Sequence, residues 1–259
     1  MKAIILSAGQ GSRLQPLTNL VPKCCLMLDG KTLLEHQIET LATNGVTEVV
    51  VVTGFQHQKV EAVVNGIDGI SVRTLFNPFY AVSDNLGTCW IARREMNTPF
   101  LLLNGDTLFN SSTLASFLAA ERVYPVTLAV DRKRSYDEDD MKVSADGERL
   151  VRVGKSLDRK IVNGESIGMV IFNRFGAEAL ARKVEQMMAG PDGLSRWYLS
   201  AIDELARKDM VGICSIQGFE WCEVDDLADL ARAEKAIWRW QERQTSVATR
   251  GDKARRKVA

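Results

Sequence analysis

The sequence predicts an α/β fold in which a parallel sheet carries helices on both faces, and three observations predict it. Short apolar runs, too short for helices, recur at residues 3–6, within the strand-like 48–53 (Glu48-Val-Val-Val-Val-Thr53) and at 99–103, as expected for buried parallel strands. Between the first two lies an amphipathic segment, residues 32–44, with Leu33, Leu34, Ile38 and Leu41 on one helical face and Gly45 at its end. A crossover of about a dozen residues joins strands that run the same way. Finally, each run ends in small or polar residues, Ser7-Ala8-Gly9, Thr53-Gly54 and Asn104-Gly105-Asp106, at the edge where parallel sheets hold ligands.

The remaining elements follow in order. Residues 58–64 form the next helix and 70–76 a third strand that stops at Asn77-Pro78. The polar and aromatic stretch 77–88 leads into an apolar helix through Trp90, Ile91 and Ala92. On the plainer reading that stretch is a cap. Residues 124–130 are strand-like, and the charge-dense run 131–140 reads as a solvated loop. A β-hairpin turns at Asp146-Gly147, with 141–144 and 150–155 as its arms. Residues 175–188 and 197–207 are amphipathic helices, 211–216 a strand and 227–242 a closing helix. The segment 243–259 is basic and without apolar period, which predicts a disordered tail.

Composition bounds the function. At 259 residues, with 46% hydrophobic and 25% charged residues, the chain suits one large α/β domain or two small ones. Lys+Arg and Asp+Glu both number 33, so no global charge calls for nucleic acid or a membrane, and any anion site is local. The five cysteines are odd in number and lack Cys-x-x-Cys spacing, which argues against disulfides and structural zinc. Cys24 beside Lys23 is read as a bystander thiol and His36 as a packed or solvated residue. Met1 leads straight into a strand and no apolar run reaches the roughly 18 residues of a membrane helix, which predicts a cytoplasmic protein.

The chemistry concentrates in the first 23 residues. Gly9 and Gly11 allow a tight turn whose N–H groups point at an anion, and Arg13 and Lys23 add a forked and a point positive charge. The pattern Gly9-x-Gly11-x-Arg13-Leu14-x-Pro16-Leu17-Thr18, followed by Pro22-Lys23, resembles the signature of the nucleotidyltransferases that make sugar nucleotides and related activated alcohols. Neither a P-loop Gly-Lys-Ser/Thr nor the third glycine of a dinucleotide fingerprint is present, which disfavours a Rossmann oxidoreductase. The resemblance implies a Rossmann-like, mostly parallel central sheet of the nucleotidyltransferase, GT-A-like kind over residues 1–242, with a small β-rich acceptor-binding insertion at about 131–170. It also implies nucleotide contacts from Leu6, Ala8, Gly9, Gly11, Ser12, Arg13 and Lys23, and from Gly105 on the fourth strand.

Further resemblances assign the other residues. The loop Asn77-Pro-Phe-Tyr80, with Ser83 and Asn85, looks most like the base-reading loop of phosphocholine cytidylyltransferases, which favours CTP as donor. Asp106 and the Asp225 of Trp221-x-Glu223-x-Asp225 stand where this family places its metal carboxylates, so Mg²⁺ is the implied cofactor, with Glu223 in support. Lys155, with Lys142 as helper, is implied to hold the phosphate of the second substrate, and Glu165-x-x-Gly168 to line the acceptor pocket. Trp197 and Tyr198 are read first as core. Facing the pocket with Trp221, they would form a cation–π cage for an amine.

The expected activity is therefore CMP transfer from CTP to a small phosphate or phosphonate monoester, of the phosphocholine or 2-aminoethylphosphonate type, with pyrophosphate released. Arg13, Lys23 and Lys155 would be the catalytic cations. A sugar- or polyol-1-phosphate acceptor, inositol-1-phosphate included, is the alternative within the class, and a non-catalytic nucleotide-binding regulator the alternative outside it. The sequence leaves oligomeric state open, a homodimer included.

Overall fold

The computed structural model of the chain describes the backbone of residues 1–255 and the side chains of residues 1–243. Its centre is β1 (Lys2–Ser7), whose apolar run is hydrogen-bonded on both sides and fully enclosed. Along the chain follow a ribbon of β2 (Met27–Leu28) and β3 (Lys31–Thr32), then α1 (Leu33–Thr43), β4 (Glu48–Thr53), α2 (His57–Val64) and β5 (Ser71–Phe76). Next come α3 (Asn85–Ile91), β6 (Phe100–Asn104), β7 (Thr107–Phe109), α4 (Ser111–Ala119) and β8 (Val126–Asp131). The second half holds β9 (Lys142–Asp146), β10 (Arg149–Val153), β11 (Gly164–Phe172), α5 (Arg174–Met188) and α6 (Tyr198–Ala206). It closes with β12 (Val211–Ser215), β13 (Trp221–Glu223) and α7 (Leu227–Arg255).

Nine strands make the main sheet, in the order β5-β4-β1-β6-β11-β8-β12-β10-β9. The first four are mutually parallel, β8 and β12 are parallel to each other, and β11 pairs antiparallel with both β6 and β8. With β10 also antiparallel to its neighbours, only β10 and β11 oppose the common direction, so the sheet is mostly parallel as expected. From β1 the chain steps outward through β4 to β5 and then returns to place β6 on the other flank of β1. This reversal opens a crevice at the carboxyl ends of β1 and β6.

Strand alternation sorts the core into two layers. Ile4, Leu6, Val50 and Val52 face α3, α5 and α6, while Ala3, Ile5, Val49 and Val51 face α1, α2 and α4. A smaller cluster, with Leu14, Leu28, Leu33, Leu108, Val224, Ala233 and Ile237, fastens α7 to the first third of the chain. Helix starts carry their own signals. Thr32 and Glu35 form a reciprocal capping box on α1, and Asn110 caps α4, a helix absent from the sequence reading.

Three differences bear on the site. The stretch 131–170 adds β11 to the main sheet itself through its pairings with β6 and β8, and the β9–β10 hairpin through the β10–β12 and β11–β9 pairings. β13 pairs antiparallel with β7, which sequence reading did not find, because each partner has only three residues and they lie far apart in the chain. In place of a disordered tail from 243, α7 continues to Arg255, while residues 256–259 lie outside the described residues. Once packing of Ala233 and Ile237 has nucleated the helix, each further residue adds a backbone hydrogen bond without needing an apolar face. No helix is long and apolar enough to cross a membrane, among the described residues.

Phe100 and Phe172 lie opposite one another in the β6–β11 register, both fully buried, with rings stacked 4.6 Å apart. Phe172→Ala should cost about 3–5 kcal/mol, the usual price of a large cavity at an aromatic core position. Chemical denaturation of the two proteins would measure it.

Candidate active site

The site begins where β1 ends. Beyond Ser7 the chain turns through residues 8–11, and Gly11 sits in the left-handed region at φ 77°. A Cβ at Gly11 would approach the Cβ of Lys23 to 2.9 Å, so the glycine lets the loop lie directly on the lysine stem. Thr18 clamps the loop by donating from Oγ1 to the Gly11 carbonyl at 2.7 Å. Lys23 itself opens a short 3₁₀ turn after Pro22, with its side chain 13% exposed.

Opposite stands Asp106, two residues beyond the end of β6. A side chain on the intervening Gly105 would collide with the Ser7 side chain and the Leu6 carbonyl, so glycine there allows β6 to run close against β1. The third contributor comes from the far end of the chain. β13 pairs with β7 and Val224 donates its N–H to the Asp106 carbonyl at 3.1 Å, which brings Asp225 beside Asp106.

These elements assemble a row of alternating charges. Lys23 Nζ lies 2.8 Å from Asp106 Oδ2 and 2.6 Å from Asp225 Oδ1. Arg13 reaches Asp225 Oδ2 at 3.0 Å and Asp139 Oδ2 at 3.4 Å, and Lys155 reaches Asp139 Oδ1 at 3.4 Å. Burial by itself would lower the Lys23 pKa, but Asp106 and Asp225 outweigh it and the net shift is upward. Burial likewise raises the Asp225 carboxyl, and Lys23, Arg13 and Lys155 together bring it below its ordinary value. Glu223 lies within the field of both aspartates. Burial first, then Asp106 and Asp225, push it up to about 8.

A cavity of about 360 Å³ opens on the Asp106, Lys23, Asp225 and Arg13 end of this row, while Asp139 and Lys155 stand outside its lining. Its wall contains Leu6, Ala8, Gly9, Gly11, Ser12, Arg13 and Lys23 from the first segment, Tyr80, Ser83 and Asn85 from the approach to α3, and Gly105. Asp106, Asp225 and Trp197 also line it. Sequence reading gave no role to Ser7, Thr88 or Asn104, which line it too. The position of Ser7 and Asn104 at the carboxyl ends of adjacent parallel strands was the available signal. Asn85 has a second task, since its Oδ1 accepts the N–H of Tyr198 at the start of α6. Cys24 lines the cavity as well, but hydrogen bonding with Cys25 and burial push its thiol well above the ordinary value, so it is no thiolate.

The acceptor residues are arranged differently from expectation. Lys142 is buried and its ammonium donates to the carbonyls of Glu138, Asp140 and Lys155, so it braces the Lys155 segment and holds no charge out to a ligand. The aromatic cage is not formed. Tyr198 is fully buried in the core, Trp221 donates its indole N–H to Asp131 at 2.8 Å, and Trp197 carries Lys155 Nζ 5.0 Å from its ring centre. Glu165 is buried and pairs with Lys133 at 2.7 Å; burial, partly offset by that lysine, pushes it up to about 7. Gly168 packs against the Asn104 side chain, and so shapes the wall through a neighbour. The run 131–140 is more than a solvated loop, because Asp139 meets Arg13 and Lys155 while Asp140 shares Lys133 with Glu165.

The donor set suits a hard divalent cation. Asp106 Oδ1 is buried without a hydrogen-bond partner, and two carboxylates face one point. Among the described residues no group of three or more His, Cys, Asp or Glu forms a metal cage. That combination fits Mg²⁺, which keeps waters and takes one or two carboxylates plus substrate phosphates. Asp106 and Asp225 would hold it.

The family model of the MobA-like NTP transferase domain matches residues 3–205. The choline-phosphate cytidylyltransferase of Streptococcus pneumoniae is 31% identical over 111 residues, which cover 43% of this chain and 47% of that protein. The CMP-5'-(3-aminopropyl)phosphonate synthase of Streptomyces rubellomurinus is 32% identical over 121 residues, 46% of this chain and 19% of that protein. The matches thus span about half or less of the length of these curated relatives. Among solved structures, the inositol-1-phosphate CTP transferase from T. maritima superposes with a TM-score of 0.79 at 23% identity, covering 93% of this chain and 96% of that one.

The raised Glu223 carboxyl has a consequence for stability. The native state holds its proton to higher pH than the unfolded chain, so this contribution is complete below about 4.5 and is lost as pH rises through about 8. Glu223→Gln should therefore gain stability relative to the parent between pH 5 and pH 8. Thermal melts of both proteins across that range test the sign.

Proposed function

The chain belongs to the MobA-like NTP transferase family, and from that membership we propose that it is a cytidylyltransferase. It would transfer CMP from CTP to a small phosphate or phosphonate monoester and release pyrophosphate. One observation carries the proposal: a glycine-rich loop at the end of a central strand lies on a lysine that bridges two carboxylates, Asp106 and Asp225. Loop amides and cations suit a polyphosphate, and the carboxylate pair suits the cation that accompanies one.

In the reaction an oxygen of the acceptor monoester attacks the α-phosphorus in line, a new P–O bond forms, and the bond to the β-phosphate oxygen breaks. The acceptor oxygen is already ionised, so no general base is needed, and rate comes from positioning and charge neutralisation. Arg13 and Lys23 face the loop where the triphosphate would lie and would stabilise charge gathering on the departing pyrophosphate. Lys155, held over Trp197, would orient the incoming monoester. Mg²⁺ held by Asp106 and Asp225 would supply neutralisation of the α-phosphate charge.

For the acceptor we favour an amino alcohol phosphate or phosphonate. The acids on the Lys155 side are each engaged, Asp131 by the Trp221 indole, Asp139 by Arg13 and Lys155, and Asp140 and Glu165 by Lys133, so the preference rests on the relatives. The choline-phosphate and aminopropylphosphonate activities of the two curated relatives support it, whereas the T. maritima structure keeps inositol-1-phosphate as a second reading.

A pyrophosphate-release assay with Mg²⁺ tests this, crossing CTP, UTP, GTP, dTTP and ATP against phosphocholine, 2-aminoethylphosphonate, glucose-1-phosphate and inositol-1-phosphate. Turnover is expected with CTP and an amino acceptor; turnover with inositol-1-phosphate alone would replace the acceptor assignment. Lys23→Ala should lower kcat by about 100-fold, the scale of a lost transition-state charge contact. A rate near that of the parent would remove Lys23 from the chemistry.

A further inference from the structure

We propose that Lys23 is a tethered counter-cation for the divalent-ion site, so that Asp106 and Asp225 become available to a metal only when a triphosphate draws the lysine ammonium away. The inference rests on the nucleotidyltransferase reading and goes beyond it, because it assigns Lys23 a task before any nucleotide is present.

Geometry carries the argument. The ammonium sits 2.8 and 2.6 Å from one oxygen of each aspartate, between the two groups a divalent cation would use. A second, doubly charged cation cannot share those oxygens at contact distance without strong repulsion in a partly enclosed site. Arg13 occupies the other oxygen of Asp225 at 3.0 Å. Only Asp106 Oδ1 lacks a partner, and one oxygen is too few for a cation that needs its charge balanced.

The same lysine is placed to change partners. Its stem lies against Gly11, so a phosphate bound by the 8–12 loop would come up beside the chain that carries the ammonium. The row Asp106, Lys23, Asp225, Arg13, Asp139 and Lys155 is internally balanced, with each cation already facing a carboxylate. A lone metal ion meets carboxylates that are taken, and a lone triphosphate meets cations that are taken. Together they satisfy both sets at once, the anion receiving Lys23 and Arg13 as the cation receives the aspartates. Metal and nucleotide binding are therefore coupled through the side chain of Lys23, and the coupling is reciprocal.

The test reads binding, not turnover. Mn²⁺ uptake would be followed by water-proton relaxation for the parent and for Lys23→Gln, each without nucleotide and with CTP. Without nucleotide, Lys23→Gln should bind Mn²⁺ at least about tenfold more tightly than the parent, the scale of a charge-assisted hydrogen bond. Adding Asp106→Asn to that variant should abolish the gain. Equal Mn²⁺ affinity in parent and Lys23→Gln would overturn the proposal. Lys23→Met serves as a second variant, and the nucleotide-free parent titration stands whether or not either variant folds. If the parent shows no response to CTP while Lys23→Gln still tightens Mn²⁺, the counter-cation stands and the nucleotide reading fails. If CTP and Mn²⁺ bind the parent together but Lys23→Gln changes nothing, the reverse holds.

Discussion

The contact of one ammonium with two carboxylates organises this molecule. Lys23 comes from the first segment, Asp106 from the middle and Asp225 from the last quarter, and none could lie where it does unpaired. Burying a charge without a partner is expensive, while a buried charge that meets opposite charge in good geometry is retained. Each element around the site can be understood as bringing one member of this contact into place: β1 and its loop for Lys23, β6 for Asp106, and the β7–β13 pairing for Asp225.

The cavity and the charged cluster that stands beside it around Lys155 differ in construction. On the β1 side the wall is mainly backbone and small side chains, Gly9, Gly11, Ser12 and Gly105, which suits close approach of a phosphate chain. On the Lys155 side, long charged side chains cross-brace one another, with Lys142 gripping three carbonyls and Lys133 shared by Asp140 and Glu165. The first owes its shape to the sheet, the second to ion pairs and to the hairpin at the sheet edge. A surface of the second kind changes its ligand by exchanging a few side chains and leaves the first untouched.

Much of the cavity was legible in the sequence. Apolar runs ending in glycine located β1, β4 and β6, and the Gly9–Lys23 pattern gave residues that do line the cavity. What could not be read depended on contacts distant in sequence. The three-residue strands β7 and β13 have no period long enough to see, and Lys142 and Lys155 look equivalent until the fold buries one and leaves the other beside Trp197. Trp221 is similar: its chemistry fits an amine cage, but its indole N–H needs a partner and finds Asp131. Continuation of α7 to Arg255 was missed because propagation along an existing helix leaves no apolar pattern.

The pairing of β7 with β13 also governs when the site exists. Lys23 and Asp225 are 202 positions apart, so the loop that joins them closes only after almost every other element has been made. Asp106 follows Lys23 by 83 positions, so a chain reaching only that far gives Lys23 a single carboxylate to meet. The second arrives with β13 and is locked by the packing of α7 against Leu14, Leu28 and Leu33. Completion of the charge row thus requires β13 to have paired with β7 and α7 to have folded back onto the first third of the chain, a native contact that a chain lacking those elements cannot form.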